Sequence, residues 1–97
     1  MPSVRKLKLP REVTSLIRSL HPELKRKIRA GLDTILSDPL SGKELHRELA
    51  GYRSFRVGRL RLVYRATGEL IEVVAIGRRE TIYLETALLL RRERRGD

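Results

Sequence analysis

Five arginines fall within one short stretch of this chain: Arg53, Arg56, Arg59, Arg61 and Arg65. A guanidinium is a planar, permanently charged fork of N–H donors, and that fork matches the oxygens of a phosphate. Several such groups on one surface with few carboxylates nearby repel one another, so they make a poor structural choice and a good anion site. Arg78 and Arg79 follow a little later, and Tyr83 brings a phenol. These residue types suit holding a nucleic-acid backbone and stabilising charge at a phosphate under attack. They suit proton abstraction badly, because an arginine does not give up its proton. The plainer alternative is a solvated basic face whose long side chains splay apart.

Other chemistries find less support. His21 and His46 are the only histidines; a histidine pair doing ribonuclease work is one reading, a surface or interface role the more ordinary one. Asp33, Asp38, Glu44 and Glu48 lack the spacing of a metal cluster. Gly42-Lys43 lacks the rest of a phosphate-binding loop. With no cysteine there is neither a disulfide framework nor a thiolate metal site. No metal and no cofactor are expected. At 4% the aromatic content argues against base-stacking platforms, which need exposed rings. The net charge of +10 favours a polyanionic partner, whether nucleic acid, the ribosome or an acidic protein. No apolar run approaches the roughly 18 to 20 residues of a membrane span, and Met1 to Pro10 lacks the long apolar core of a signal peptide. The expectation is a soluble, cytoplasmic protein without a membrane partner.

The elements that must position these residues follow from the hydrophobic periods. The 97 residues make room for a single domain, 1–97. Ser3 to Leu9 alternates as a short edge strand guarded by lysines. Val13, Leu16, Ile17 and Leu20 share one face of a helix that starts after Pro10 and stops at Pro22. Leu24, Ile28, Leu32, Ile35 and Leu36 share one face of the next helix, with Lys25, Arg26, Lys27 and Arg29 opposite. That helix ends at Ser37-Asp38-Pro39. Pro39 to Gly51 reads as a polar loop pinned by Leu45 and Leu49. Tyr52 to Val57, Leu60 to Ala66 and Leu70 to Gly77 read as three strands. Thr81 to Arg95 reads as a helix with Tyr83, Ala87 and Leu90 near one stripe and four arginines in its last turn. The order β-α-α-β-β-β-α predicts an α+β domain: an antiparallel sheet packed on a helical hairpin, with a C-terminal helix.

Two-residue turns at Gly58-Arg59 and Gly68-Glu69 set the register. Val57 then faces Leu60, Arg56 faces Arg61, Phe55 faces Leu62, Ser54 faces Val63 and Arg53 faces Tyr64. One face carries Phe55, Val57, Leu60, Leu62 and Tyr64 and serves as the core. The other carries Ser54, Arg56, Arg61, Val63 and Arg65. The second turn puts Arg65 opposite Glu72, Val63 opposite Val74 and Arg61 opposite Ile76, with Arg78 adding to the cationic area. Like charges facing each other across strands destabilise the pair by a few tenths to about 1 kcal/mol. Val63, Val74 and Ile76 would form an apolar strip beside the arginines, suited to a partner's amphipathic helix.

The run from Tyr52 to Tyr64, followed by Ile76-Gly77-Arg78-Arg79-Glu80 and then Tyr83, resembles the conserved hairpin and last-strand exit of the RelE/ParE toxins. The Pro22-Glu23 helix start and the approach from Leu45 to Gly51 fit as well. The resemblance implies a RelE-like fold and a toxin of a type II toxin–antitoxin system, held in a hetero-oligomer by a cognate antitoxin. RelE-like members cleave mRNA in the ribosomal A site, whereas ParE-like members poison DNA gyrase on nearly the same fold. On the RelE-like pattern the catalytic set is Arg56, Arg61, Arg79 and Tyr83, and Arg53, Arg59, Arg65 and Arg78 bind RNA. The activity implied is a metal-independent endoribonuclease that acts by 2′-hydroxyl attack, with mRNA and rRNA as partners. Ser54 stands where some members carry another lysine, and this departure weakens the supply of a general base. The alternatives are gyrase inhibition and a toxin-fold protein that only binds nucleic acid or a partner.

Overall fold

The computed structural model describes residues 5–96, apart from the side chains of Arg79, Glu80 and residues 94–96. The element order is β1 (Lys6–Lys8), α1 (Arg11–Ser19), α2 (Pro22–Ser37), β2 (Lys43–Glu44), β3 (Arg53–Val57), β4 (Leu60–Thr67), β5 (Leu70–Arg78) and α3 (Arg79–Gly96), with a 3-10 turn at Arg47–Leu49. The α+β order holds, and the sheet is larger than expected. It has five strands in the order β1-β5-β4-β3-β2, and β1 runs parallel to β5. Part of what read as a polar loop is the two-residue strand β2, antiparallel to β3. The start of the expected first strand and the side chains of Arg94 and Arg95 lie outside the described residues.

Both helices of the hairpin cover one face of the sheet. Val13 of α1 and Ile28, Leu32 and Ile35 of α2 pack with Val57, Leu62, Tyr64, Ile71, Val73 and Ile76. The break between the helices is built by Pro22 at the first turn of α2 and by His21, whose Nδ1 accepts the Glu23 N–H at 3.2 Å. His21 is therefore a helix cap. Gly31 lets α2 approach β3 closely: a Cβ there would lie 3.0 Å from Val57 and 3.1 Å from Phe55.

The β3–β4 register is the expected one, from Val57 opposite Leu60 to Arg53 opposite Tyr64. Gly58, at φ +60°, takes the first turn position that its neighbours would occupy only with strain. The β4–β5 register agrees at Arg65 and Glu72 and then departs from the expectation. A bulge between Val63 and Tyr64 pairs Tyr64 with Val73 but Val63 with Ala75, so Val74 is the extra residue. Val63 thus faces Ala75 rather than Val74, and Arg61 faces Gly77 rather than Ile76. The physical gain is burial. The bulge changes the alternation of β5, so that Ile71, Val73 and Ile76 all enter the core on the α1–α2 side.

The other face is not open. α3 lies across it, and Ile82 and Leu90 pack with Val63, Tyr52 and Leu49, flanked by Leu45, Val74, Ala75, Tyr83 and Ala87. Val63 is fully buried. The apolar strip expected to await a partner's helix is covered by the chain's own last helix, and Ile76 has left it for the core. Gly77 permits the closure, since a Cβ there would lie 2.9 Å from the tip of Ile82. No helix among the described residues is long and apolar enough to cross a membrane.

Candidate functional site

The site begins with the cross-strand pair Arg56 and Arg61 near the tip of the β3–β4 hairpin. Paired residues of antiparallel strands share a face, and this face is the one that α3 partly covers. Arg56 is exposed and donates from Nε to the Gly58 carbonyl at 3.1 Å, which steers its guanidinium toward the turn. Arg61 is half-buried. Among the described residues neither forms an ion pair. Two like charges thus face each other across the ladder with no carboxylate among those residues to offset them. Opposite Arg61 stands Gly77, which adds no side chain to that row.

Directly beside this row, Ser54 and Val63 form the next one. Ser54 is 2% exposed. Its Oγ lies 2.9 Å from the Tyr83 hydroxyl, and either group can be the donor. This bond fixes the phenol over the sheet, one row from the arginine pair. Ile82, next to Tyr83, is buried against the sheet and anchors that turn of α3. The half-buried Tyr83 therefore combines a held phenol with access to solvent. α3 begins directly after β5, so its N-terminus, the positive end of its dipole, is at the Arg61–Gly77 end of the sheet.

The remaining predicted residues do not all join this group. Arg53 lies on the Tyr64 face, away from Arg56 and Arg61, and donates to the Gly42 carbonyl at 2.9 Å. Arg65 shares the face of the pair but sits on the far side of the buried Val63. It hydrogen-bonds Glu72 at 2.7 Å, and its guanidinium carbon lies 5.3 Å from the centre of the Tyr52 ring. The Glu72 hydrogen bond and the Tyr52 contact push its pKa further up, so the group stays charged and engaged. Glu72 also reaches Lys8 at 3.7 Å and so ties β1 to β4 across β5. Arg78 pairs with Leu60, and alternation puts it on the α1–α2 side rather than with the arginine pair. Arg59 is exposed in the turn. The Arg79 side chain lies outside the described residues. His46 is exposed at the start of the 3-10 turn.

Sequence reasoning missed Lys43. It stands opposite Ser54 on β2 and is exposed. The available signal was faint: Lys43-Glu44-Leu45 alternates in mirror order to Tyr52-Arg53-Ser54, and Leu45 takes the matching backbone bond to Tyr52 at 2.9 Å.

Comparison with known proteins agrees with this architecture. The family model described as ParE toxin of type II toxin–antitoxin system, parDE, matches residues 11–83. The toxin–antitoxin complex RelBE2 from Mycobacterium tuberculosis contains a chain of 27% identity and TM-score 0.68, with 79% of this chain and 100% of that chain covered. A mutant of the E. coli toxin RelE in the free state gives TM-score 0.73 at 17% identity, over 92% of this chain and 98% of that one. The YoeB–YefM complex from Staphylococcus aureus gives 0.65 at 20% identity, over 76% and 95%. The curated proteins contain no match to this chain. With its sheet order, its arginine-bearing hairpin and the family match over most of its length, the chain belongs to the ParE toxin family of type II toxin–antitoxin systems, a RelE-like member of the RelE/ParE superfamily.

Proposed function

We propose that this toxin is a ribosome-dependent mRNA endonuclease that works without a metal ion. The observation that carries the reading is the Arg56–Arg61 couple, without an ion pair among the described residues, one row from a Tyr83 phenol held by Ser54. Cleavage by 2′-hydroxyl attack forms a bond from the 2′-oxygen to phosphorus, passes the 2′ proton to a base, and releases the 5′-oxygen with a proton. Negative charge grows on the non-bridging oxygens meanwhile, and arginine forks aimed there stabilise it. Among the described side chains of these two rows Tyr83 is the one suited to proton transfer, and it also orients the nucleotide. Arg79, at the first turn of α3, adds charge stabilisation on the strength of its place in the family pattern. Arg59, exposed at the turn, extends the cationic surface toward RNA, whereas Arg78, on the α1–α2 side at the end of β5, does not join it. A site this short of strong bases depends on its substrate being positioned for it, which is what the ribosomal A site supplies.

The partner in the resting state is a cognate antitoxin, and the toxin acts in the cytoplasm, where translation runs. The solved relatives include toxin–antitoxin complexes, which supports that partner. The same cationic surface that takes a phosphate takes the acidic side chains of such a protein.

Primer extension on mRNA translated by purified ribosomes tests the reading. Wild-type protein is expected to cut within codons, and the cuts are expected to vanish in Arg61→Ala and Arg79→Ala. An absence of cuts together with blocked supercoiling by DNA gyrase would reverse the assignment in favour of a gyrase inhibitor.

A further inference from the structure

A lysine stands beside Ser54 on the neighbouring strand. β2 runs antiparallel to β3 with Lys43 opposite Ser54 and Glu44 opposite Arg53. Side chains of directly paired residues stand on the same face, with Cβ atoms about 4.5–5.5 Å apart. The face of Ser54 is fixed by its bond to Tyr83. Lys43 therefore rises on the Tyr83 face, one strand outside Ser54 and diagonal to Arg56. It is exposed, and among the described residues it forms no ion pair.

The backbone that carries Lys43 is held from two sides. The Gly42 N–H donates to the buried Tyr64 phenol at 2.9 Å, and the Gly42 carbonyl accepts from Arg53 at 2.9 Å. A Cβ on Gly42 would lie 2.7 Å from the Tyr64 ring, so only glycine fits beneath this clamp. A two-residue edge strand would otherwise fray. The clamp leaves Lys43 with a fixed root and a flexible four-carbon stem beside the Ser54–Tyr83 bond.

We propose that Lys43 is a substrate-contacting residue of the candidate ribonuclease site, its ammonium holding the non-bridging oxygens of the scissile phosphate from the β2 side while Arg56 and Arg61 hold them from the hairpin tip. The inference rests on the nuclease reading above. During attack the 2′-oxygen bonds to phosphorus and its proton passes to the base, while the bond to the 5′-oxygen breaks and that oxygen is protonated. Charge on the non-bridging oxygens is largest at the transition state, so the ammonium acts there more than on bound RNA. The ordinary explanation of an edge-strand lysine is that it keeps other strands from pairing, and the two roles separate experimentally.

The test is single-turnover cleavage of mRNA on saturating ribosomes by wild type, Lys43→Gln, Lys43→Arg and Lys6→Gln. Lys6 is an exposed lysine of β1, at the opposite edge of the sheet, and controls for the loss of one charge. Lys43→Gln is expected to be about 100-fold slower, the size of effect seen when one donor to a transition-state oxyanion is removed. Lys43→Arg keeps the charge and is expected to stay within about tenfold of wild type, and Lys6→Gln within about twofold. Thermal melting of each variant serves as the control for folding. Wild-type cleavage by Lys43→Gln, alongside an inactive Arg61→Ala, overturns the role of Lys43 and leaves the nuclease reading standing. Equal losses in Lys43→Gln and Lys6→Gln, or equal losses in Lys43→Gln and Lys43→Arg, overturn it too. A wild-type protein that cuts no mRNA removes both the reading and the inference built on it.

Discussion

Replacing Tyr64 by phenylalanine keeps the ring in the core and removes one oxygen that serves two loop groups. The phenol accepts the Gly42 N–H at 2.9 Å and donates to the Pro39 carbonyl at 2.7 Å. Gly42 is buried, so its N–H gains no water in exchange, and leaving such a donor without a partner costs about 1–3 kcal/mol. Pro39 is half-buried, and its carbonyl can be rehydrated, so the second bond contributes nearer to 0.5–1 kcal/mol, at the lower end of ordinary hydrogen bonds. Tyr64→Phe is therefore expected to destabilise the fold by about 1.5–4 kcal/mol. In a domain of this size that lowers the melting temperature by roughly 7–20 °C. Urea denaturation measures the loss directly, as a lower midpoint with an unchanged slope. Amide exchange at Gly42 and Leu45 is expected to accelerate more than in the β4–β5 ladder, because the phenol anchors the root of β2. A loss below about 0.5 kcal/mol, inside the range of an ordinary surface change, would refute the claim that this phenol holds β2 in place.

Further predictions concern the covering helix and the peripheral ion pairs. Gly77→Val crowds the tip of the buried Ile82 side chain, and is expected to destabilise by about 1–3 kcal/mol in the same urea titration. Glu72→Gln removes the partner of Arg65 and Lys8 at a site open to solvent. It is expected to cost less than about 1 kcal/mol, and less still in high salt, as thermal melts at two ionic strengths would record. Ser54→Ala removes the Tyr83 bond and is expected to cost about 1 kcal/mol while increasing the mobility of the Tyr83 ring, read from its NMR line shape.

Much of the fold was legible because its signals are local. Apolar residues at helical spacing marked α1 and α2, and two glycine turns with strict alternation set the β3–β4 register residue by residue. From that register came the central feature of the site, Arg56 opposite Arg61. What escaped is non-local or too short to leave a period. The bulge at Val74 shifts one strand by a single residue, and nothing in the run Leu70 to Gly77 announces it. β2 has two residues, which no periodicity can mark, and so Lys43 looked like part of a loop. The burial of the second sheet face was hidden in α3 itself, whose leucines at 84, 88 and 89 point outward while Ile82 and Leu90 point inward, which blurs its apolar stripe. The grouping of arginines suffered accordingly. The bulge-free register puts Arg65 and Arg78 on the face of the pair, while Arg53 joins the RNA-binding set although it stands opposite Tyr64. Alternation sends Arg53 to the opposite face, the bulge does the same for Arg78, and Glu72 engages Arg65.

On the proposed reading, an arginine-lined face promotes attack by the 2′-hydroxyl on the adjacent phosphate. That reading is tested most directly with an mRNA whose scissile nucleotide, once mapped, carries a single 2′-deoxy substitution, presented in the ribosomal A site with chelator present. The all-ribose message is expected to be cut to a 2′,3′-cyclic phosphate end and the substituted message to stay whole. Cleavage of the 2′-deoxy message at the same position, or a requirement for added metal ion, would contradict the reading.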